Sequence, residues 1–299
     1  MTIPKIMVVG SLNMDLVVTT DIVPKTGETV IGNDFVTTCG GKGANQAVAA
    51  RELGSDVTFI GRIGYDVYGK EILENFKSRG ITFVDETPVK NVSTGLACIT
   101  LADKDNSIII VPGANAHVTP EFLEVHKDKV IDSDYVLTQL EIPIETVDYL
   151  ATICKENDVP LIVNPAPASA LTDNILDACT YITPNKIELD QLKSYHSNLM
   201  DDYIDKIIVT NGSNGCFYYE DKKEVSIGSF KAEVVDTTGA GDTFNGALVS
   251  ELARGNGLKE SLRFANASGA LSVTKFGAQS GMPTREEVLA ILEEVEHNN

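Results

Sequence analysis

Residues 234–247, "VVDTTGAGDTFNGA", place Gly239, Ala240 and Gly241 directly before Asp242. Phe244, Leu248 and Leu252 then recur at helical spacing, Arg254 falls in the last turn, and Gly255 follows. That pattern predicts a helix entered through a run of small residues. The first backbone N–H groups of a helix have no intrahelical partners, small side chains let an anion approach them, and the helix dipole adds positive potential. The chemistry this suits is an anion, such as a phosphate, held beside a carboxylate. The dipole also predicts an Asp242 that stays ionised and is a weak base. An ordinary Gly-rich turn with Asp242 as its cap would use the same residues.

Two further stretches carry chemistry-bearing side chains. "CGGKGANQAVAARELG", residues 39–54, is a second Gly-rich entry into a helix. Lys42 is followed by Gly43 rather than Ser or Thr, so it is not a Walker loop, and it lacks the dinucleotide fingerprint. Lys42 and Asn45 supply a point charge and an amide beside backbone that can be approached closely. "MVVGSLNMD" runs from a buried strand to Asn13 and Asp15. Such a pair at a strand's carboxyl end fits recognition of neutral hydroxyls, or serves simply to form a turn. The histidines, His117, His126, His196 and His297, have no mutual metal-ligand spacing.

Elements that could position these groups follow from hydrophobic periodicity. From about Val57 onward, short apolar runs ("VTFI", "DYVLTQL", "LIVN", "YIT", "KIIVT") alternate with helical patterns such as "YGKEILENFKSRG" and "IETVDYLATICKEN". This predicts an α/β fold with a doubly wound, mostly parallel sheet flanked by helices, and ligands at the strands' carboxyl ends. Residues 15–38 contain no helical pattern, and residues 93–115 read as two strands around a polar turn at 102–106. Together they form either a small second sheet, a lid over the strand ends, or an antiparallel edge on the main sheet. Thr284 and Glu287 form a capping box before a solvated C-terminal helix.

Composition sets outer limits. With 299 residues and 43% hydrophobic content, the chain can bury a large core. The formal net charge of −19 argues against nucleic acid or anionic membrane as a partner. A small anionic ligand remains compatible, because screening confines surface charge to about 8 Å. No apolar run reaches the length of a membrane span, no leader pattern opens the sequence, and the five cysteines are scattered, so a cytoplasmic location is expected.

The ordered set "GSLNMD", "GGKGANQAVAA", "STG", "QLE", "NPAPA", "PNKIE", "TNGSNG", "DTTGAGDTFNGAL" and "FANASGALSVTKFGAQSGMP" resembles the PfkB family of carbohydrate kinases over essentially the full length. The resemblance implies ATP-dependent phosphorylation of a sugar, with D-ribose and its 5-hydroxyl as the expected substrate. Another sugar or nucleoside kinase of the family is the alternative, and a silent sugar- or nucleotide-binding regulator a more distant one. It implies Asp242 as catalytic base and Gly239, Ala240 and Gly241 as an anion hole. Asn13, Asp15, Gly41, Lys42, Asn45 and Glu141 match sugar-binding positions. Asn185 and Glu188 match a pattern associated with Mg²⁺ and phosphate; Thr210, Gly212 and Gly215, with Gly241, match the nucleotide phosphate site, and Asn266 lies beside the adenine. Asp236, Thr238, Ser272, Lys275, Gly277 and Gly281 match a K⁺ site built largely from carbonyls. The chain departs from the family pattern at Lys186 and Ile187, in a shortened segment 190–206, and at Gly281, where a serine hydroxyl is missing. The resemblance further implies a single domain over residues 1–299 with a lid from 12–38 and 93–113. An exposed lid edge would pair two copies in a homodimer.

Overall fold

The run KIMVV at Lys5–Val9 (β1) has no polar face for solvent, so its strand belongs inside a sheet covered on both sides. The computed structural model, which describes residues 3–102 and 105–297, places it there. β1 pairs in parallel with β4 (Asp56–Ile60) on one side and β8 (Tyr135–Thr138) on the other. β5 (Thr82–Phe83), β9 (Leu161–Val163) and β10 (Tyr181–Ile182) complete a six-stranded parallel sheet of order β10-β9-β8-β1-β4-β5. Successive residues face opposite sides. Ile6, Val8, Phe59 and Leu137 enter one core, while Met7, Val9, Ile60 and Val136 enter the other. The chain leaves β1 toward β4 and later returns to β8, so the crevice beyond β1 and β8 is a topological switch point.

The helices Lys42–Glu52 and Ala240–Ala253 are buried almost all round and lie against each other over the first core. Their contact depends on Gly246, where a Cβ would collide with Ala49 and the Gln46 carbonyl. This close approach brings the first turns of both helices together above the switch point.

A second sheet forms from β2 (Asn13–Thr19), β3 (Asp34–Gly40), β6 (Gly95–Ala102) and β7 (Asp105–Val111), in the order β3-β2-β6-β7. It is separate from the main sheet, so the edge-strand alternative does not form. β2 and β6 run parallel, and the outer pairs run antiparallel. Of the turn expected at 102–106, residues 102, 105 and 106 belong to β6 and β7, and residues 103 and 104 lie outside the described residues. One expectation needs correction. "KIIVT" does not continue the main sheet as a full strand: β11 (Ile208–Thr210) heads a three-stranded antiparallel sheet with β12 (Cys216–Glu220) and β13 (Lys223–Ile227). Only isolated bridges, Ile182 to Ile207 and Asn185 to Thr210, link it to the region of β10. The physical reason is Pro184, which has no N–H to extend a ladder between them.

Candidate active site

The site is built from residues just past the ends of the parallel strands and from the two buried helix N-termini. Gly239 caps the helix Ala240–Ala253 with φ 78°, which puts Gly241 and Asp242 in the first turn. The N–H groups of Gly241 and Asp242 have no acceptor among the described residues, whereas that of Ala240 reaches the Thr237 carbonyl at 3.3 Å. Of the amides expected from the sequence to accept an anion, that of Gly241 is unpaired among the described residues and that of Ala240 is engaged.

Asp242 is only 8% exposed, and both of its carboxylate oxygens are held. Asn45 Nδ2 donates to Oδ2 at 3.0 Å and Gln46 Nε2 donates to Oδ1 at 3.0 Å. Gln46 is itself fixed: Gln139 Nε2 donates to its Oε1 at 2.6 Å, and its Nε2 also donates to Asn164 Oδ1 at 3.0 Å. On the other side, Gln279 Nε2 donates to Asn45 Oδ1 at 3.1 Å, and Asn75 Nδ2 donates to Gln279 Oε1 at 2.9 Å. Asp242 is thus the centre of a buried amide network drawn from five separate parts of the chain. Sequence reasoning named Asn45 but missed Gln46, Gln139, Asn164 and Gln279. The available signal was a polar side chain immediately after a strand, as in Thr-Gln at 138–139 and Val-Asn at 163–164.

The electrostatics follow from burial. Desolvation raises the Asp242 pKa, opposed by Lys42 and the two amides and reinforced by Glu141. This reverses the weak-base expectation. A helix dipole is worth about 0.3–1 kcal/mol at an exposed site, and taking a carboxylate out of water outweighs it. Burial pushes Asp15 up to about 7, helped by Glu141 and Asp242 and opposed by Lys42. For Lys42 burial acts to lower the pKa, but Asp242, Glu141, Glu188 and Asp15 outweigh it, and the ammonium pKa is raised. One cation is surrounded by four carboxylates.

Asn13 and Asp15 are not turn residues. They alternate on β2 and so share one face of the small sheet, Asn13 3% and Asp15 9% exposed. Asn13 and Glu141, but not Asp15, Gly41, Lys42 or Asn45, line a cavity of about 410 Å³ together with Asn115, Ile110, Leu140 and Pro167. Glu141 also has a local duty: one oxygen accepts from Ser11 Oγ at 2.5 Å and from Lys42 N at 3.1 Å. A carboxylate so placed closes the N-terminus of the helix after Gly41.

A second cavity, of about 760 Å³, reaches Gly241, the residue before Asp242. Thr210, Gly212, Gly215, Ala240, Gly241 and Asn266, all expected at a nucleotide site, line it together. Asn266 uses its Nδ2 on the carbonyls of Ile227 (3.0 Å) and Gly228 (3.2 Å), and so shapes the wall. Phe230, Ala232 and Val234 line the same space and escaped sequence reasoning, because residues 228–239 form a loop without periodicity; Phe244 and Val273 line it from a helix and a helix end.

The residues expected around metals divide into two groups. Asn185 and Glu188 form a reciprocal capping box, each backbone N–H donating to the other side chain at 2.8 Å, and burial raises the Glu188 pKa against the opposing Asn185 N–H and Lys42. Asp236 accepts from Thr238 N at 2.9 Å, Thr238 Oγ1 at 2.7 Å and Gly277 N at 2.9 Å, which ties the loop before the anion-accepting helix to the 275–281 turn. Burial acts to raise the Asp236 pKa, but these bonds outweigh it and hold it low. A Cβ at Gly281 would collide with the Ser272 carbonyl and approach that of Gly277, so a carbonyl-lined cradle exists there. Lys275 turns its side chain away toward Glu287, 3.7 Å distant, which leaves only its carbonyl for such a cradle. Among the described residues no cluster of three or more His, Cys, Asp or Glu is arranged to hold a metal.

Comparison with known proteins agrees with this geometry. Residues 3–285 match the pfkB family carbohydrate kinases. The chain is 48% identical over 289 residues to ribokinase of Bacillus subtilis, covering 96% of this chain and 99% of that one. Its structure is similar to that of ribokinase from Thermotoga maritima (TM-score 0.88, 35% identity, 97% and 99% of the two chains). It is also similar to Arabidopsis thaliana ribokinase complexed with ribose and ATP (TM-score 0.87, 33% identity, 98% and 99%).

Proposed function

The chain belongs to the pfkB family of carbohydrate kinases, and from that premise we propose that it transfers the γ-phosphoryl group of ATP to the 5-hydroxyl of D-ribose. The observation that carries this reading is the placing of Asp242. It sits in the first turn of a buried helix, fixed by Asn45 and Gln46, next to Gly241 of the 760 Å³ cavity that suits a nucleotide and within charge range of Glu141, which lines the 410 Å³ cavity with Asn13.

Asp242 accepts the hydroxyl proton as the ribose oxygen bonds to the γ-phosphorus and the bond to the bridging oxygen of ADP breaks. Its raised pKa makes it a better acceptor than an exposed aspartate. The amides of residues 239–241 face the charge on the transferred oxygens, and donors fixed before the reaction stabilise that charge without reorganising. Lys42 lies near the same carboxylates and offsets their charge. Asn13, Asp15, Asn45, Glu141 and the backbone at Gly41 hold the sugar; Thr210, Gly212, Gly215 and Asn266 border the nucleotide.

Mg²⁺ fits a site of this kind through the phosphates and the Asn185–Glu188 corner, and when bound it neutralises phosphate charge. Carbonyls near Ser272, Lys275, Gly277 and Gly281, with Asp236 and Thr238 beside them, fit K⁺ and would steady the loop that precedes Gly239. We assign residues 1–299 to one domain whose small sheet, 12–38 and 93–113, closes over the sugar and excludes water. Phe35, Ile108 and Ile109 on that sheet are 57%, 51% and 69% exposed. Such an apolar surface suits a second copy of the chain. The five free cysteines suit the reducing cytoplasm.

The test is to incubate the protein with ATP and a panel of pentoses, hexoses and nucleosides and to identify products by mass spectrometry. Ribose 5-phosphate should dominate; preferential phosphorylation of a hexose or nucleoside would replace this reading.

A further inference from the structure

Asn115 lies on the short turn Gly113–His117 after β7 and is 1% exposed. Its side-chain amide closes two hydrogen bonds on one backbone residue. Leu12 N donates to Oδ1 at 2.9 Å, and Nδ2 donates to the Leu12 carbonyl at 3.0 Å. That pairing decides which end of the amide is oxygen, since exchanging the ends would set donor against donor and acceptor against acceptor. The remaining Nδ2 hydrogen goes to Asn13 Oδ1 at 2.8 Å. Asn13 must then direct its oxygen toward Asn115 and offer its own Nδ2 elsewhere. No acceptor among the described residues takes that Nδ2, and Asn13 lines the 410 Å³ cavity. The arrangement is tight: a Cβ at Gly95 would collide with both amides where they meet.

We propose that Asn115 is a positioning residue that sets the hydrogen-bonding polarity of the sugar site, making Asn13 a donor toward the ligand while Asp15, two residues along the same strand, is the acceptor. This rests on the sugar-kinase reading above. Asn13 alone could turn either end of its amide into the cavity. The fixed peptide of Leu12, acting through Asn115, removes that choice. A site so built meets a hydroxyl oxygen with N–H and a hydroxyl hydrogen with carboxylate. A ligand group of the opposite polarity would leave a buried donor or acceptor unpaired, which is the costlier outcome.

Two variants reverse the polarity by different routes. Asn115→Asp keeps an acceptor for Leu12 N but loses the donor, so Asn13 turns its Nδ2 toward the new carboxylate and shows oxygen to the cavity. Asn13→Asp keeps an acceptor for Asn115 Nδ2 and likewise shows oxygen to the cavity. The sugar that the wild-type protein phosphorylates best in the panel serves as probe. The wild-type result thus judges the ribose reading, while the ratio of variant to wild type judges Asn115. With ADP release as readout and thermal melting as a check on folding, both variants should raise the sugar KM at least about tenfold. The ATP KM should stay within about twofold, and kcat should fall by less than KM rises. If Asn115→Asp gives no cooperative melt, Asn13→Asp decides alone. A wild-type sugar KM in a folded variant, or equal losses for sugar and ATP, would overturn the proposal; the latter is what a purely structural cross-link would produce.

Discussion

The proposed sugar and nucleotide sides of Asp242 are built on opposite plans. On the sugar side, Asn13, Asp15, Asn45 and Asp242 are each less than a tenth exposed and stand on strands and helices cross-linked by amides. On the proposed nucleotide side, part of the wall is a loop with apolar side chains, Val234 among them at 62% exposed. Side chains on packed elements can be placed to a fraction of an ångström, and effective proximity depends on that. A loop lined by apolar groups offers contact area that tolerates adjustment. On the proposed reading, precision falls on the sugar and the reacting oxygen, and tolerance on the rest of the nucleotide.

The sharpest way to break the comparison is at its meeting point. Asp242→Asn keeps size but cannot take a proton, and it retains only one of the two acceptor oxygens that Asn45 and Gln46 use. General-base removal costs about 10²–10⁴ in rate, so kcat should drop by that order with sugar KM changed much less. Near-full turnover would reduce Asp242 to a helix cap.

Next in size is the sugar side itself. Asp15→Ala removes a charged acceptor whose hydrogen bonds are worth roughly 1.5–3 kcal/mol each, so ribose KM should rise at least about tenfold and ATP KM should not. The reverse pattern would move Asp15 to the nucleotide side.

The pH dependence separates the two cavities without mutation. Asp15 has its pKa raised to about 7, so at pH 6 the free site mostly holds the protonated acid. A hydroxyl donating to the carboxylate must displace that proton. Ribose KM should therefore fall as pH rises from 6 to 8 and level off above about 7, with proton release on binding visible by calorimetry in buffers of different ionisation enthalpy. In the unliganded protein the linkage has the opposite sign. A raised carboxyl pKa stabilises the fold fully below the ordinary aspartate range, and this is lost as pH rises through about 7. A ribose KM flat across this window would remove Asp15 from the binding step.

The smallest effect is expected on the tolerant wall. Val234→Ala deletes about two methyl groups from a half-open surface, where burial is worth roughly 25 cal/mol per Å². A two- to fourfold rise in ATP KM should follow, with ribose KM and kcat unchanged. A large loss of kcat would show that the nucleotide wall is as exacting as the sugar site.

Part of this protein can be read along the chain. The helix that begins at Ala240, its Gly entry, the Lys42 helix, the parallel core strands and the Thr284–Glu287 box depend on spacing within one or two turns, and local spacing is what a sequence displays. The family motifs add the identity of Asp242, Asn13 and Asp15 as a set. The tertiary structure alone decides how these groups behave. Gln46, Gln139, Asn164 and Gln279 converge on one carboxylate, or on its partners, from positions more than two hundred residues apart, and no local pattern records that meeting. The raised pKa values of Asp242 and Asp15 reverse what a helix N-terminus or a turn would suggest, because burial is a property of the assembled fold. The polarity of Asn13 depends on a peptide at Leu12 reached through Asn115, a hundred residues away. Residue type and spacing determine which chemistry is available; desolvation and long-range hydrogen bonds determine which protonation state and which face of each group the ligand meets.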